Sequence, residues 1–157
     1  MEICLLSIGK VSTSWIQDGM AVFESRLGRY IKYSPLVLSD IRNAKNLSID
    51  KIKEEEGKLI LENLLPSDFI VLMDEKGQQF TSVSFSEWIQ KQMNTGRKRL
   101  IFIIGGPYGF SSSVYERADY KIALSKMTFT HEMAKLILTE QLYRSMTILK
   151  GEPYHHV

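Results

Sequence analysis

The sequence predicts an α/β fold built on a mainly parallel sheet. Short apolar runs of strand length alternate with stretches whose apolar residues recur at helical spacing. The clearest runs, at residues 3–6, 69–73 and 100–104, are continuously apolar, as strands covered by helices on both faces require. Nothing divides the 157 residues: there is no repeat, low-complexity segment or linker, so one domain over 1–157 is expected.

The elements follow in order. Residues 2–8 read as a buried strand stopped by Gly9. Ser12 or Thr13 caps a helix to about Tyr30, with Trp15, Met20, Phe23 and Leu27 at helical spacing. Residues 35–41 read as a second strand and 42–50 as a polar loop. A charged amphipathic helix spans 49–65, and its run Lys51-Ile52-Lys53-Glu54-Glu55-Glu56 reads as a solvated face. A third strand covers 69–73, followed by a turn at 74–77. Ser84 or Ser86 caps the next helix, which carries Trp88, Ile89 and Met93 and ends near Gly96. Strand 100–104, short helix 111–118, strand 120–124 and long helix 131–149 complete the series. Gly151 and Pro153 stop the last helix before the tail Tyr154-His155-His156-Val157.

Composition narrows the function classes. A net charge of +2 argues against a broad nucleic-acid coat, so any RNA contact must be local. Cys4, the one cysteine, lies in an apolar run and reads as a small buried hydrophobe. With no disulfide, no leader signature and no apolar run of membrane-spanning length, a cytoplasmic protein without membrane contact is expected. No metal-ligand spacing is present, and adjacent His155 and His156 do not converge on one ion. The glycines match neither a dinucleotide fingerprint nor a P-loop, and no serine lies in a nucleophile elbow.

In open parallel sheets, ligands sit beyond the carboxyl ends of the strands. Three such ends stand out: Met73-Asp74, Gly105-Gly106 and Leu124-Ser125. The glycine pair permits close approach to the backbone, although on the glycines alone a tight turn is the better reading. The loop Leu124-Ser125-Lys126-Met127-Thr128-Phe129 has backbone groups free for a ligand, and Thr128 or Thr130 caps the helix after it. The last helix is apolar on two sides: Met133, Leu136 and Ile137 with Glu140, Tyr143 and Arg144 on one, and Leu138, Leu142, Met146 and Leu149 on the other. Such a helix needs two covers, from its own chain or from a second subunit.

Four segments together carry a resemblance: Phe102-Ile103-Ile104-Gly105-Gly106-Pro107-Tyr108-Gly109, Leu124-Ser125-Lys126-Met127-Thr128-Phe129-Thr130-His131, Glu140-Gln141-Leu142-Tyr143-Arg144 and Gly151-Glu152-Pro153-Tyr154-His155. In order, spacing and position the chain resembles, over its whole length, the large-subunit ribosomal RNA pseudouridine N3-methyltransferase family (methyltransferase H) of the SPOUT superfamily. The tail ends His156-Val157 where relatives often carry a basic residue after Tyr-His. The resemblance implies a SPOUT fold with a C-terminal trefoil knot, a homodimer, and S-adenosylmethionine held by Met73, Gly105, Leu124, Ser125, Lys126, Met127, Thr128 and Phe129. It further implies N3-methylation of a pseudouridine in a 23S ribosomal RNA stem-loop at the subunit interface of the assembled ribosome.

For the chemistry, His155 is the leading candidate to accept the N3 proton, with Glu140 behind it. Arg144 would hold a phosphate or steady a developing negative charge, and Tyr154 would stack on the base. Gly105 is expected to tolerate no side chain because a Cβ there would enter the cofactor space. The competing expectations are a SPOUT enzyme of another RNA, which the short chain disfavours, and a non-catalytic ribosome-binding assembly factor, which would not bind S-adenosylmethionine.

Overall fold

The computed structural model describes residues 1–156; Val157, at the end of the tail discussed above, lies outside the described residues. Five strands, β1 (Glu2–Ile8), β2 (Lys32–Leu38), β3 (Phe69–Gln78), β4 (Arg99–Ile104) and β5 (Tyr120–Ile122), form one sheet in the order β2-β1-β4-β3-β5. Every pairing is parallel, so all carboxyl ends share one edge. The helices are α1 (Ser14–Leu27), α2 (Ile49–Glu62), α3 (Ser82–Met93), α4 (Ser112–Arg117) and α5 (His131–Leu149).

Alternation along the strands splits the apolar residues into two cores. Ile3 and Leu5 of β1 and Phe102 of β4 face α1, α3 and α5 through Leu27, Phe85, Ile89, Leu138, Leu142 and Met146. Cys4 and Leu6 face the opposite layer, with Ile60 of α2 and Val114 of α4. Cys4 is therefore the buried hydrophobe expected of it, and burial raises its thiol pKa.

Several boundaries move. β2 starts at Lys32 and runs through Pro35, three residues earlier than expected, because it is an edge strand. There a residue without an N–H leaves no ladder bond unmade. Residues 74–77 do not end β3: Met73 and Gln78 both pair with Ile122, so these four residues bulge out of a strand that then resumes. Gly77 lies so close to β5 that a Cβ would stand 2.5 Å from the Ile122 nitrogen. Thr81, not Ser84 or Ser86, caps α3, and Ser84 completes a reciprocal capping box with it. α2 stops at Glu62 and α1 at Leu27, while β1 and α5 have the expected limits.

Candidate active site

The carboxyl edge opens into a cleft of about 840 Å³. Its walls include the β3 bulge, the glycine turn after β4 and the loop leading into α5. Of the expected cofactor residues, Met73, Gly105, Leu124, Ser125, Met127, Thr128 and Phe129 all line it. Lys126 does not line it and is exposed. Thr130 caps α5 by accepting a hydrogen bond from the Met133 N–H, which leaves Thr128 free for the cleft, where its hydroxyl donates to Glu75 at 3.4 Å.

The bulge brings charge to this wall. Asp74 accepts hydrogen bonds from the Lys76 N–H at 2.8 Å and from the Tyr115 hydroxyl at 2.5 Å. Burial and that carboxylate push the Tyr115 pKa up to about 12, so the phenol stays protonated and donates. A Cβ at Gly105 would meet the buried Phe110 ring, 2.8 Å from its Cε1, and that ring also lines the cleft. The demand for glycine comes first from packing against Phe110.

Below the cleft, two side chains of α5 hold the start of the chain in place. Buried Lys135 donates to the carbonyl of Gly9 at 2.6 Å, and burial lowers its pKa. Glu132 accepts from the Ser12 N–H at 2.6 Å and the Ser12 hydroxyl at 2.9 Å, which holds its pKa down to about 2. This carboxylate serves the N-terminus of α1, where the Thr13 side chain makes no capping bond.

The four catalytic candidates form one cluster elsewhere. Glu140 Oε1 accepts from Arg144 Nη2 at 2.6 Å, from Arg144 Nε at 3.0 Å and from the Tyr154 hydroxyl at 3.0 Å. Its Oε2 accepts from Gln141 at 2.7 Å. The Arg144 guanidinium lies over the Tyr154 ring at 4.6 Å, and its Nη1 is 3.3 Å from His155 Nδ1. Guanidinium can only donate, so Nδ1 is the acceptor and the other ring nitrogen carries the proton. The Glu140 carboxylate raises the Arg144 pKa; burial, reinforced by Glu140, raises that of Tyr154. The tail reaches the cluster because Gly151, at φ +67°, reverses the chain: its N–H donates to the Ile148 carbonyl and that of Glu152 to the Thr147 carbonyl. That is a Schellman closure. Tyr30, in the turn after α1, then donates its hydroxyl to Glu152 at 2.5 Å.

The cleft reaches the first turn of α5, whereas the cluster begins at the middle of that helix. Glu140 and Arg144 follow Ala134, the last cleft residue on α5, by six and ten positions, about 9 and 15 Å along the axis at 1.5 Å per residue. Within one chain they do not meet.

Sequence reasoning passed over some lining residues. Lys53, Glu75, Tyr115 and His131 border the cleft, as does Asp74 at the strand end already singled out. Lys53 was hidden in a charge run whose Lys51, Glu54 and Glu55 do lie on a solvated face, joined by ion pairs. Glu56 in the same run is buried. Among the described residues no group of three or more His, Cys, Asp or Glu side chains is placed to hold a metal ion, and no helix is long and apolar enough to cross a membrane.

A parallel sheet whose strand ends, glycine turn and pre-helix loop enclose one cleft is the arrangement of a SPOUT methyltransferase. A family model described as predicted SPOUT methyltransferase matches residues 1–155, and the chain belongs to that family. It is 56% identical over 156 residues to a protein of Christiangramia forsetii named ribosomal RNA large subunit methyltransferase H, with 99% of each chain covered. Proteins of the same name from Parabacteroides distasonis and Flavobacterium psychrophilum are 52% and 51% identical, again over 99% of each chain. The chain is accordingly a transferase that uses a methyl donor of the S-adenosylmethionine type.

Proposed function

We propose that the protein methylates N3 of a pseudouridine in 23S ribosomal RNA on the assembled ribosome, with S-adenosylmethionine in the cleft and a homodimer as the working unit. The observation that carries this reading is the convergence of seven expected cofactor residues, from three separate strand ends, on one cleft. Its volume suits a ligand of that size. Its lining fits a cationic nucleoside: backbone open to close approach at Gly105 and Gly106, apolar walls at Ile122, Leu124 and Phe129, and the carboxylates of Asp74 and Glu75.

A donor held there supplies a methyl group on a positive sulfur, already activated for in-line displacement. The protein's task is then alignment and removal of one proton. Tyr154 would stack on the target base and Arg144 would face its carbonyl oxygen or a flanking phosphate. Once Arg144 turns to the RNA, His155 Nδ1 is released and can accept the N3 proton as the new N–C bond forms. Glu140 is saturated by Arg144, Tyr154 and Gln141, which favours a role in holding the cluster over a role as base.

Separation of cluster and cleft along α5 supports a site shared by two copies, with the cluster of one serving the cleft of the other. Met133, Ile137, Glu140, Arg144 and Ile148 form a half-buried stripe on α5, while Leu138, Leu142 and Met146 fill the chain's own core. A second copy would cover that stripe. The knotted C-terminal segment implied by the resemblance belongs to the same reading.

The test is tritiated methyl incorporation into ribosomes and into free large-subunit RNA, with light scattering on the enzyme. The reading expects a dimer and much faster incorporation on ribosomes. Equal rates would remove the assembled-ribosome claim, and a protein that binds no S-adenosylmethionine would restore the non-catalytic assembly factor.

A further inference from the structure

Two neighbouring residues in the middle of α2 press on the glycine turn from beneath, on the side away from the cleft. Glu56 is 6% exposed although it carries a carboxylate. That carboxylate lies against Gly106, where a Cβ would stand 2.6 Å from Oε2 and 2.8 Å from Cδ. Burial raises the Glu56 pKa, the backbone of Gly106 opposes that rise through a hydrogen bond, and the Asp40 carboxylate adds to it. The next residue, Gly57, lies against the far end of the same turn. A Cβ on it would stand 3.1 Å from Ser111 Cβ and 3.5 Å from Val114 Cγ2.

The fit is reciprocal. Gly106 lacks a side chain where Glu56 approaches, and Gly57 lacks one where Ser111 approaches. A glycine inside a helix is unfavourable relative to alanine, so Gly57 needs a compensating reason, and the close approach of α2 to the turn supplies it. A buried carboxylate is likewise unfavourable without polar surroundings, and that of Glu56 is packed against the turn at Gly106. Neither Glu56 nor Gly57 lines the cleft.

We propose that Glu56 and Gly57 are positioning residues for the methyl donor: as a pair they clamp residues 105–111 at both ends, and so fix the backbone that the donor contacts. This rests on the reading that S-adenosylmethionine occupies the cleft. A turn packed closely against one buried carboxylate and one helix glycine is pre-organised, so less ordering is needed at binding. When the carboxylate is removed, the turn should explore other conformations and the donor must pay for ordering it.

The experiment is calorimetric titration of the intact protein with S-adenosylmethionine, beside hydrogen exchange and thermal unfolding. Glu56→Ala should weaken binding about tenfold, the scale of one lost hydrogen bond to a charged group. It should speed amide exchange in residues 105–111 while exchange in β4 stays as it was. Glu56→Gln retains an acceptor and should recover most of the affinity. Gly57→Ala should weaken binding as well, and Ser111→Ala, which removes the hydroxyl that the new methyl meets, should restore it in the double variant. In steady state the losses should appear in KM for the donor with kcat nearly unchanged. Wild-type affinity and wild-type exchange in Glu56→Ala and Gly57→Ala would overturn the clamp alone. Should Glu56→Ala fail to fold, Gly57→Ala with its rescue decides the matter by itself. No binding by the wild-type protein would overturn the cofactor reading and the clamp with it.

Discussion

The cleft at the carboxyl edge of the sheet and the cluster on the second half of α5 are built differently. The cleft is assembled from segments far apart in sequence, a bulge, a glycine turn and a loop, with polar side chains such as Asp74 and Tyr115 bonded across them. The cluster is formed by side chains that satisfy one another: Glu140, Arg144, Tyr154 and His155 are joined by hydrogen bonds and ring contacts. A cleft of that kind is sensitive to shape, whereas side-chain networks are sensitive to the identity of each member. If the cleft holds the donor and the cluster handles the base, substitutions in the two regions should separate binding from rate.

The largest separation is expected from Gly105→Val. Its side chain must displace the Phe110 ring, so donor binding should fall by at least about a hundredfold in calorimetry, while circular dichroism still reports a folded protein. Binding at wild-type strength would break the assignment of the turn to the cofactor. Next comes His155→Ala, with a methylation rate about a hundredfold lower, the usual contribution of a general base. Its affinity for S-adenosylmethionine should stay within about twofold. Truncation after Gly151 should behave alike and remain dimeric. Full activity in the truncated enzyme would leave Glu140 and Arg144 to explain the rate.

Tyr154→Phe should have a smaller effect. It loses the bond to Glu140 but keeps the ring beneath Arg144 and beside Tyr143, so a rate loss of only a fewfold, about 1 kcal/mol, is expected. The smallest effect concerns neither region's chemistry. The Glu132 pKa is depressed from 4.5 to about 2, so its contribution to stability is complete above pH 4.5 and fades as pH falls toward 2. Glu132→Gln should flatten that part of the stability profile by lowering stability across the neutral range while leaving it nearly unchanged near pH 2, as followed by thermal unfolding.

How much was legible in the sequence also differs between the regions. β1 and α5 were placed to the residue because their apolar patterns are long and their ends carry Gly9, Thr130 and Gly151. β2 was displaced because Pro35 was read as a boundary, whereas an edge strand accepts it. The β3 bulge looked like a terminating turn because Asp-Glu-Lys-Gly is turn chemistry; that the chain returns to Ile122 depends on a strand more than forty residues later. In the site, residues taken over as a block from the resemblance included Lys126, which does not line the cleft although its neighbours do. Lys53 and Glu56 were illegible for the opposite reason: a charge run on a helix has sides, and only three dimensions show that one of them meets the glycine turn.

The central claim, that the cleft of one copy works with the cluster of another, is tested most directly by mixing two inactive variants. Gly105→Val carries an intact cluster and His155→Ala an intact cleft. In a mixed dimer with shared sites, one site receives both intact parts and the other receives both defects. Equal amounts, co-expressed so that dimers form at random, should regain about a quarter of wild-type incorporation into ribosomes, since half the dimers are mixed and each has one complete site. If incorporation stays at the level of the separate variants, each site is built within one chain and the account is wrong.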